Sequence, residues 1–108
     1  MGDHLGDFEQ LVMLAVLRLD DDAYGTPIRE ELKARADREV SPGAIFTTLE
    51  RLESRGLVMS RYGEPTAERG GRSKRYYKVS AEGRRSLGRA LRAVRRMAQG
   101  LEPKLERS

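Results

Sequence analysis

Three observations predict a mainly helical chain with one two-stranded hairpin, an α+β fold weighted towards α. Apolar residues recur at helical spacing in four stretches. Thr-Pro and Ser-Pro helix-start signals precede two of them, and two short β-prone runs lie between the third and the fourth.

The first stretch holds Phe8, Leu11, Val12, Leu14, Ala15, Val16, Leu17 and Leu19, which cover nearly every side of a helix and imply burial on more than one face. It stops at Asp20-Asp21-Asp22. These carboxylates are consecutive rather than alternating as in a calcium loop, so a solvated turn and no metal site is the expectation. Thr26 is expected to cap a second helix with Pro27 at its first position, and Ile28, Leu32 and Ala36 form its one buried stripe.

Ser41 caps a third helix that opens with Pro42 and ends at Gly56 as its C′ residue, with Ile45, Leu49 and Leu52 turned inward. Leu57 to Tyr62 and Arg75 to Val79 then pair as a hairpin. Its connection, Gly63 to Lys74, is too long for a tight turn and suits an extended loop. Strand alternation sends one of Tyr76 and Tyr77 inward, which favours core packing over a stacking platform for bases. Ser80 caps a last helix whose Leu87, Leu91, Val94, Ala98 and Leu101 follow a 4, 3, 4, 3 spacing, and Pro103 is expected to end it. The organisation is therefore one domain over residues 1–79, a C-terminal helix over 80–102 and a disordered tail over 103–108.

A length of 108 residues is that of one small domain, and the net charge of +4 conceals a gradient. Residues 1–23 carry −5, residues 24–60 balance, residues 61–85 carry +5 and residues 86–108 carry +4. Basic residues gathered in the C-terminal half, with a pI near 9.8, point to a polyanionic partner. The absence of cysteine excludes disulfides and thiolate chemistry and fits a cytoplasmic address. The longest apolar run, Leu11 to Leu17, is too short to cross a bilayer, and the acidic N-terminus does not resemble a secretory signal. The arginine-rich last helix lacks the Trp or Phe of a membrane-surface helix. His4 is the only histidine, and Gly70-Gly71 lacks the context of a phosphate loop, so neither an enzyme nor a cofactor is expected.

Helices joined by a short link and followed at once by a hairpin with a cationic loop describe a winged helix-turn-helix, whose third helix enters the major groove of double-stranded DNA. The side opposite Ile45, Leu49 and Leu52 presents Gly43, Ala44, Thr47, Thr48, Arg51 and Arg55. Small residues permit close approach, Thr reaches base edges or a thymine methyl, and Arg addresses guanine or phosphate. In the wing, Arg69, Arg72, Lys74 and Arg75 are placed to follow phosphates or enter the minor groove. From Ala81 to Gly100 the last helix would run about 30 Å. Its seam of Leu87, Leu91, Val94, Ala98 and Leu101 exceeds what so small a core can cover, so it is expected to pack on Leu11 and Leu14 of a second copy. The resulting homodimer would address a pseudo-palindromic operator. The competing reading is a winged-helix protein-interaction module whose wing binds an acidic partner without specific DNA binding.

Leu5-Gly6 with Phe8-Glu9-Gln10-Leu11, Ala23-Tyr24-Gly25, SPGAIFTTLERLESRGLV (Ser41 to Val58) and GRSKRYYKVSAEGRRSL (Gly71 to Leu87) together resemble the PadR family of bacterial transcriptional regulators. The resemblance spans about residues 5–100. It implies a dimeric winged-helix repressor acting near its own or a neighbouring gene, of the smaller subfamily with a single C-terminal dimerisation helix. By position, the family's DNA-reading helix falls on Ser41 to Arg55, and Phe46 stands where Tyr is common. The missing hydroxyl removes a phosphate hydrogen bond, leaving Phe46 to a sugar, a thymine methyl or packing. Some small members bind planar drugs between tryptophans of paired C-terminal helices. This chain has no Trp and offers only Met97 as a bulky unusual side chain on its last helix, so that pocket is not expected and any small-molecule effector is left unknown.

Overall fold

The computed structural model describes residues 4–64 and 73–106. Three helices come first: α1 (Asp7–Leu19), α2 (Gly25–Ala36) and α3 (Pro42–Ser54), with a single 3-10 turn at Asp20–Asp22. Strands β1 (Val58–Tyr62) and β2 (Arg75–Val79) follow, then α4 (Ala81–Ala98) and one further turn of helix, α5 (Glu102–Leu105). Helix α1 packs on both α2 and α3, as its density of apolar residues requires, and contributes Val12, Met13, Ala15 and Val16 to the core. Ile28 and Leu32 enter from α2, Ile45, Leu49 and Leu52 from α3, and Val58, Tyr77 and Val79 from the hairpin.

The strands are antiparallel in the register Val58↔Val79, Ser60↔Tyr77 and Tyr62↔Arg75. Period-two alternation buries Tyr77 and Val79 while Lys78 between them stays exposed. The Tyr77 N–H donates to the Ala23 carbonyl at 2.8 Å, which ties the outer edge of β2 to the turn between α1 and α2. The α3–β1 corner is turned by Gly56 at φ +76°, a left-handed conformation that glycine adopts without a Cβ clash.

Two helix boundaries differ from expectation. Tyr24, in extended backbone, is the N-cap of α2, and Ile28 N–H bonds its carbonyl at 3.1 Å, so the helix begins at Gly25 and Thr26 lies inside it without capping. Helix α4 stops at Ala98, and Gly100 at φ +84° redirects the chain. Leu101 therefore lies outside α4, and Pro103 sits in the first turn of α5 rather than ending the preceding helix. The stretch expected as a tail from residue 103 thus includes helical residues through Leu105.

The root of α4 is locked to the α3–β1 corner. Ser80 Oγ accepts from the Gly83 N–H at 2.9 Å and donates to the Gly56 carbonyl at 2.7 Å, while the Ser80 N–H donates to the Leu57 carbonyl at 3.0 Å. Gly83 packs so closely that a Cβ there would lie 2.1 Å from the Leu57 carbonyl oxygen and 2.9 Å from Val79 Cγ1. Beyond this joint α4 leaves the body: Leu87 is in the core, Leu91 is the last side chain packed against it, and residues 92–97 are exposed. The described chain measures 53 × 32 × 21 Å. No helix among the described residues is long and apolar enough to cross a membrane.

Candidate nucleic-acid interface

Helix α3 is built to be held from behind and left bare in front. At its start Ser41 Oγ accepts from the Ala44 N–H at 3.1 Å and Pro42 occupies the first turn, so the entry is fixed by the Ser-Pro pair. Ile45, Thr48, Leu49 and Leu52 are buried, whereas Gly43, Ala44, Phe46, Thr47, Glu50 and Arg51 are exposed. Thr48, expected on the outer face, is a correction: only 4% of it is accessible. It lies three residues after Ile45 and four before Leu52, which places it inside the buried stripe, and its hydroxyl is unavailable to a base.

Arg55 is likewise turned away from the outer face. It caps the C-terminal end of α3 and reaches α1 and the segment before it: Nη2 donates to the His4 carbonyl at 2.7 Å, and Nη1 lies 3.4 Å from Glu9 Oε1. Arg51 remains half exposed, with Nη1 3.6 Å from Glu9 Oε2.

Arg75 is the second correction. In place of a free cation for phosphates, its guanidinium forms a clasp between β2, β1 and α3. Nη2 donates to Glu53 Oε1 at 2.8 Å, Nε donates to Ser60 Oγ at 3.1 Å, and Nη1 lies 3.5 Å from Glu50 Oε2. The rings of Phe46, Tyr62 and Tyr77 surround it at 5.4–5.8 Å. Burial works against the charge, but Tyr77, Glu53 and Tyr62 outweigh it and hold the Arg75 pKa above its ordinary value. Burial in turn pushes the Tyr77 phenol up, opposed by the nearby Arg75. Phe46 is therefore half exposed on the outer face while its ring takes part in this clasp. Arg75→Met, which keeps the stem and removes the guanidinium, is expected to cost about 1–3 kcal/mol by leaving Glu53 Oε1 without its charged donor, the Ser60 hydroxyl remaining on Oε2 at 2.8 Å. Urea unfolding measures the loss, and an unchanged midpoint would contradict the clasp.

Lys74 is exposed beside this cluster, with Nζ 4.5 Å from the centroid of the Tyr24 ring. Tyr24 meets Tyr76 edge to face at 5.3 Å, and Arg61 lies 4.8 Å over Tyr76. The chain of cation, ring, ring, cation links the α1–α2 turn to both strands. Arg69 and Arg72 lie outside the described residues.

The residues expected at a subunit seam separate into two sets. Leu87, at 3% accessibility, belongs to this protomer's own core and is not free for a partner, which corrects its assignment. Leu91 is partly buried against that core. Val94 is exposed at 60%, Leu101 at 40%, and Ala98 is intermediate. Leu11 and Leu14 of α1 are partly buried and line an open groove of about 260 Å³ between α1 and α2, floored by Ala15, Leu32 and Ala36 and edged by Arg18, Glu31 and Arg35.

Sequence reasoning placed Ser80 as the cap of α4 but missed its bond to Gly56 and the close packing of Gly83, and it missed Glu9, Glu50 and Arg61 as site residues. The pairing of Glu50 and Glu53 with Arg75 joins residues 22–25 positions apart, beyond any local pattern. An acid on the front of α3 had a signal, since Glu50 is adjacent to Arg51 in the chain.

A three-helix body with a two-stranded wing, an outward-facing third helix and a projecting C-terminal helix defines a winged-helix protein. Residues 13–89 match the Transcriptional regulator PadR-like family, and the chain belongs to that family. It is a transcriptional regulator of the PadR-like type. It is 34% identical over 80 residues to the transcriptional regulator Rv3488 of Mycobacterium tuberculosis, covering 74% of this chain and 70% of that protein. Among solved structures, a PadR-like transcription factor from Bacteroides fragilis superposes with a TM-score of 0.72 at 26% identity, covering 88% of this chain and 86% of the other. A PadR family transcriptional regulator from Eggerthella lenta superposes with a TM-score of 0.67 at 27% identity over 92% of this chain and 84% of the other.

Proposed function

We propose that the chain is a sequence-specific DNA-binding regulator, acting as a homodimeric repressor on a pseudo-palindromic operator near its own or a neighbouring gene. The observation that carries this is the outer face of α3, where Gly43, Ala44, Phe46, Thr47 and Arg51 are exposed on a helix anchored behind by four buried side chains and at its start by Ser41. Small residues at Gly43 and Ala44 let this face lie in the major groove, with Thr47 and Arg51 as base-reading side chains and Lys74 on the flanking phosphates. Arg69 and Arg72, from the wing sequence, are assigned to the same backbone contacts.

Dimerisation is supported by the second half of α4 and by α1. Val94 and Met97 are exposed large apolar side chains on the projecting arm, and Leu101 and Leu105, past its end, are exposed too. The groove beside Leu11 and Leu14 offers apolar floor and charged edges. Packing the arm of one copy into the groove of another would cover both surfaces by a two-fold operation and leave two α3 helices for two half-sites.

The test is fluorescence anisotropy with the duplex upstream of the chain's own gene against a scrambled duplex of equal length, across several salt concentrations. A preference of about a thousandfold or more is the expected result. Equal, weak, salt-erased binding to both that duplex and neighbouring intergenic sequences would overturn the proposal and favour a wing that binds an acidic protein. Within the same titration, Arg51→Ala is expected to lose about 1–3 kcal/mol on the operator and much less on the scrambled duplex, whereas Lys74→Ala weakens both and lowers the salt slope by about 1.

A further inference from the structure

Beneath the C-terminal half of α3 lies a fixed negative charge contributed by α1. Glu9 is only 13% exposed at its side chain, and its Oε1 accepts the Gly6 N–H at 2.9 Å, closing the first turn of α1. The backbone thus sets the direction of this carboxylate before any arginine approaches it. Arg55 reinforces the position from the other side, bound to both Glu9 and the His4 carbonyl. The remaining oxygen, Oε2, faces Arg51 Nη1 at 3.6 Å, a distance too long for a hydrogen bond but short enough for an ion pair.

We propose that Glu9 is a positioning residue for Arg51, which restrains the half-exposed guanidinium through its Nη1 and thereby sharpens discrimination between DNA sequences. This rests on the assignment of α3 as the base-reading helix. Arg51 is 53% exposed and meets Glu9 through Nη1, so the pair leaves it accessible to a base. An arginine tethered at one nitrogen loses less freedom on docking its planar fork than one free in solvent. The same carboxylate partly cancels the Arg51 charge and repels phosphates, which lowers attraction to DNA of any sequence. Only the first effect raises the ratio of specific to unspecific affinity; the second lowers both affinities together.

Glu9→Gln keeps an acceptor for the Gly6 N–H and removes the charge. In the full chain, the operator-to-scrambled affinity ratio is expected to fall about five- to tenfold, with tighter binding to the scrambled duplex. In an Arg51→Ala background the same change should leave the ratio unaltered. The Arg51 Nε–Hε resonance of the DNA-free protein should also become more mobile in Glu9→Gln, a readout that a purely structural cap would not move. Glu9→Asp, which retains the charge but is one methylene shorter, should lose the ratio as well and serves if Glu9→Gln folds poorly. A lowered melting temperature with an unchanged ratio and unchanged Arg51 dynamics would overturn the proposal, as would an equal effect with and without Arg51. If the wild-type chain prefers no duplex, α3 does not read bases and the assignment falls with that premise. A wild-type preference that survives Glu9→Gln removes this proposal alone.

Discussion

Val94→Asp is expected to give a folded monomer that binds its operator about a hundredfold or more less tightly. Val94 is 60% exposed and lies past the last residue of α4 packed on the body, so within one protomer the substitution touches nothing buried. Any large effect must then come from a second copy. A carboxylate placed in an apolar seam loses much of its hydration, which disfavours the association. Once the copies part, each α3 must hold its half-site alone, and the gain from linking two binding events, commonly 10²–10⁴, disappears. Sedimentation velocity at micromolar concentration reads the assembly, circular dichroism the fold and anisotropy the affinity. A variant that remains dimeric would remove α4 from the seam. Leu91→Asp is the less clean experiment because Leu91 also packs on its own core.

Gly83→Ala is expected to produce a large loss of stability for the addition of one methyl group. The new Cβ would stand 2.1 Å from the Leu57 carbonyl oxygen and 3.0 Å from the Leu57 carbonyl carbon, both backbone atoms that cannot rotate aside. Relief requires α4 to lift from the α3–β1 corner, which strains the Ser80 bonds to Gly56 and Leu57. Overpacking of this kind costs about 1–3 kcal/mol, and with backbone as the obstacle the upper end applies. For a domain of this size that corresponds to a melting temperature lower by roughly 10–20 °C. Gly88→Ala on the same helix is the control, since the nearest atoms there belong to the flexible Arg92 side chain. Equal melting of the two variants would show that the corner yields more easily than its geometry implies.

The order of elements was legible because its signals are local. Ser41-Pro42, Ser80 and the alternation through Tyr77 and Val79 each work within a few residues, and the helices, hairpin and Gly56 corner follow them. The start of α2 was displaced because a Thr-Pro pair can sit one position inside a helix as easily as at its edge. The candidate site was legible as a face but not as a set of free side chains. Thr48 carries a hydroxyl that reads as polar, yet the helical angle between Ile45 and Leu52 decides its burial. Arg75 was counted as a charge to spare because its acids lie on another element. The 4, 3, 4, 3 spacing of the last helix gives one continuous stripe, and spacing alone cannot mark where the protomer's own core stops covering it between Leu87 and Val94. Glu9 was seen as an acid near the N-terminus and within the Phe8-Glu9-Gln10-Leu11 motif, but not as a site residue, since its arginine partners arrive from more than 40 positions away.

The joint at Ser80 and Gly83 gives the molecule the mechanics of a lever. An arm of 18 residues is about 27 Å long, so a rotation of 5° at its root sweeps the far end through about 2 Å. Because the root is bonded to the same corner that terminates α3, the converse also applies: a displacement of the arm's far end turns α3 about the corner. In the proposed dimer, the separation between the two α3 helices would then be governed by an angle at Ser80 rather than by contacts on the outer face of α3.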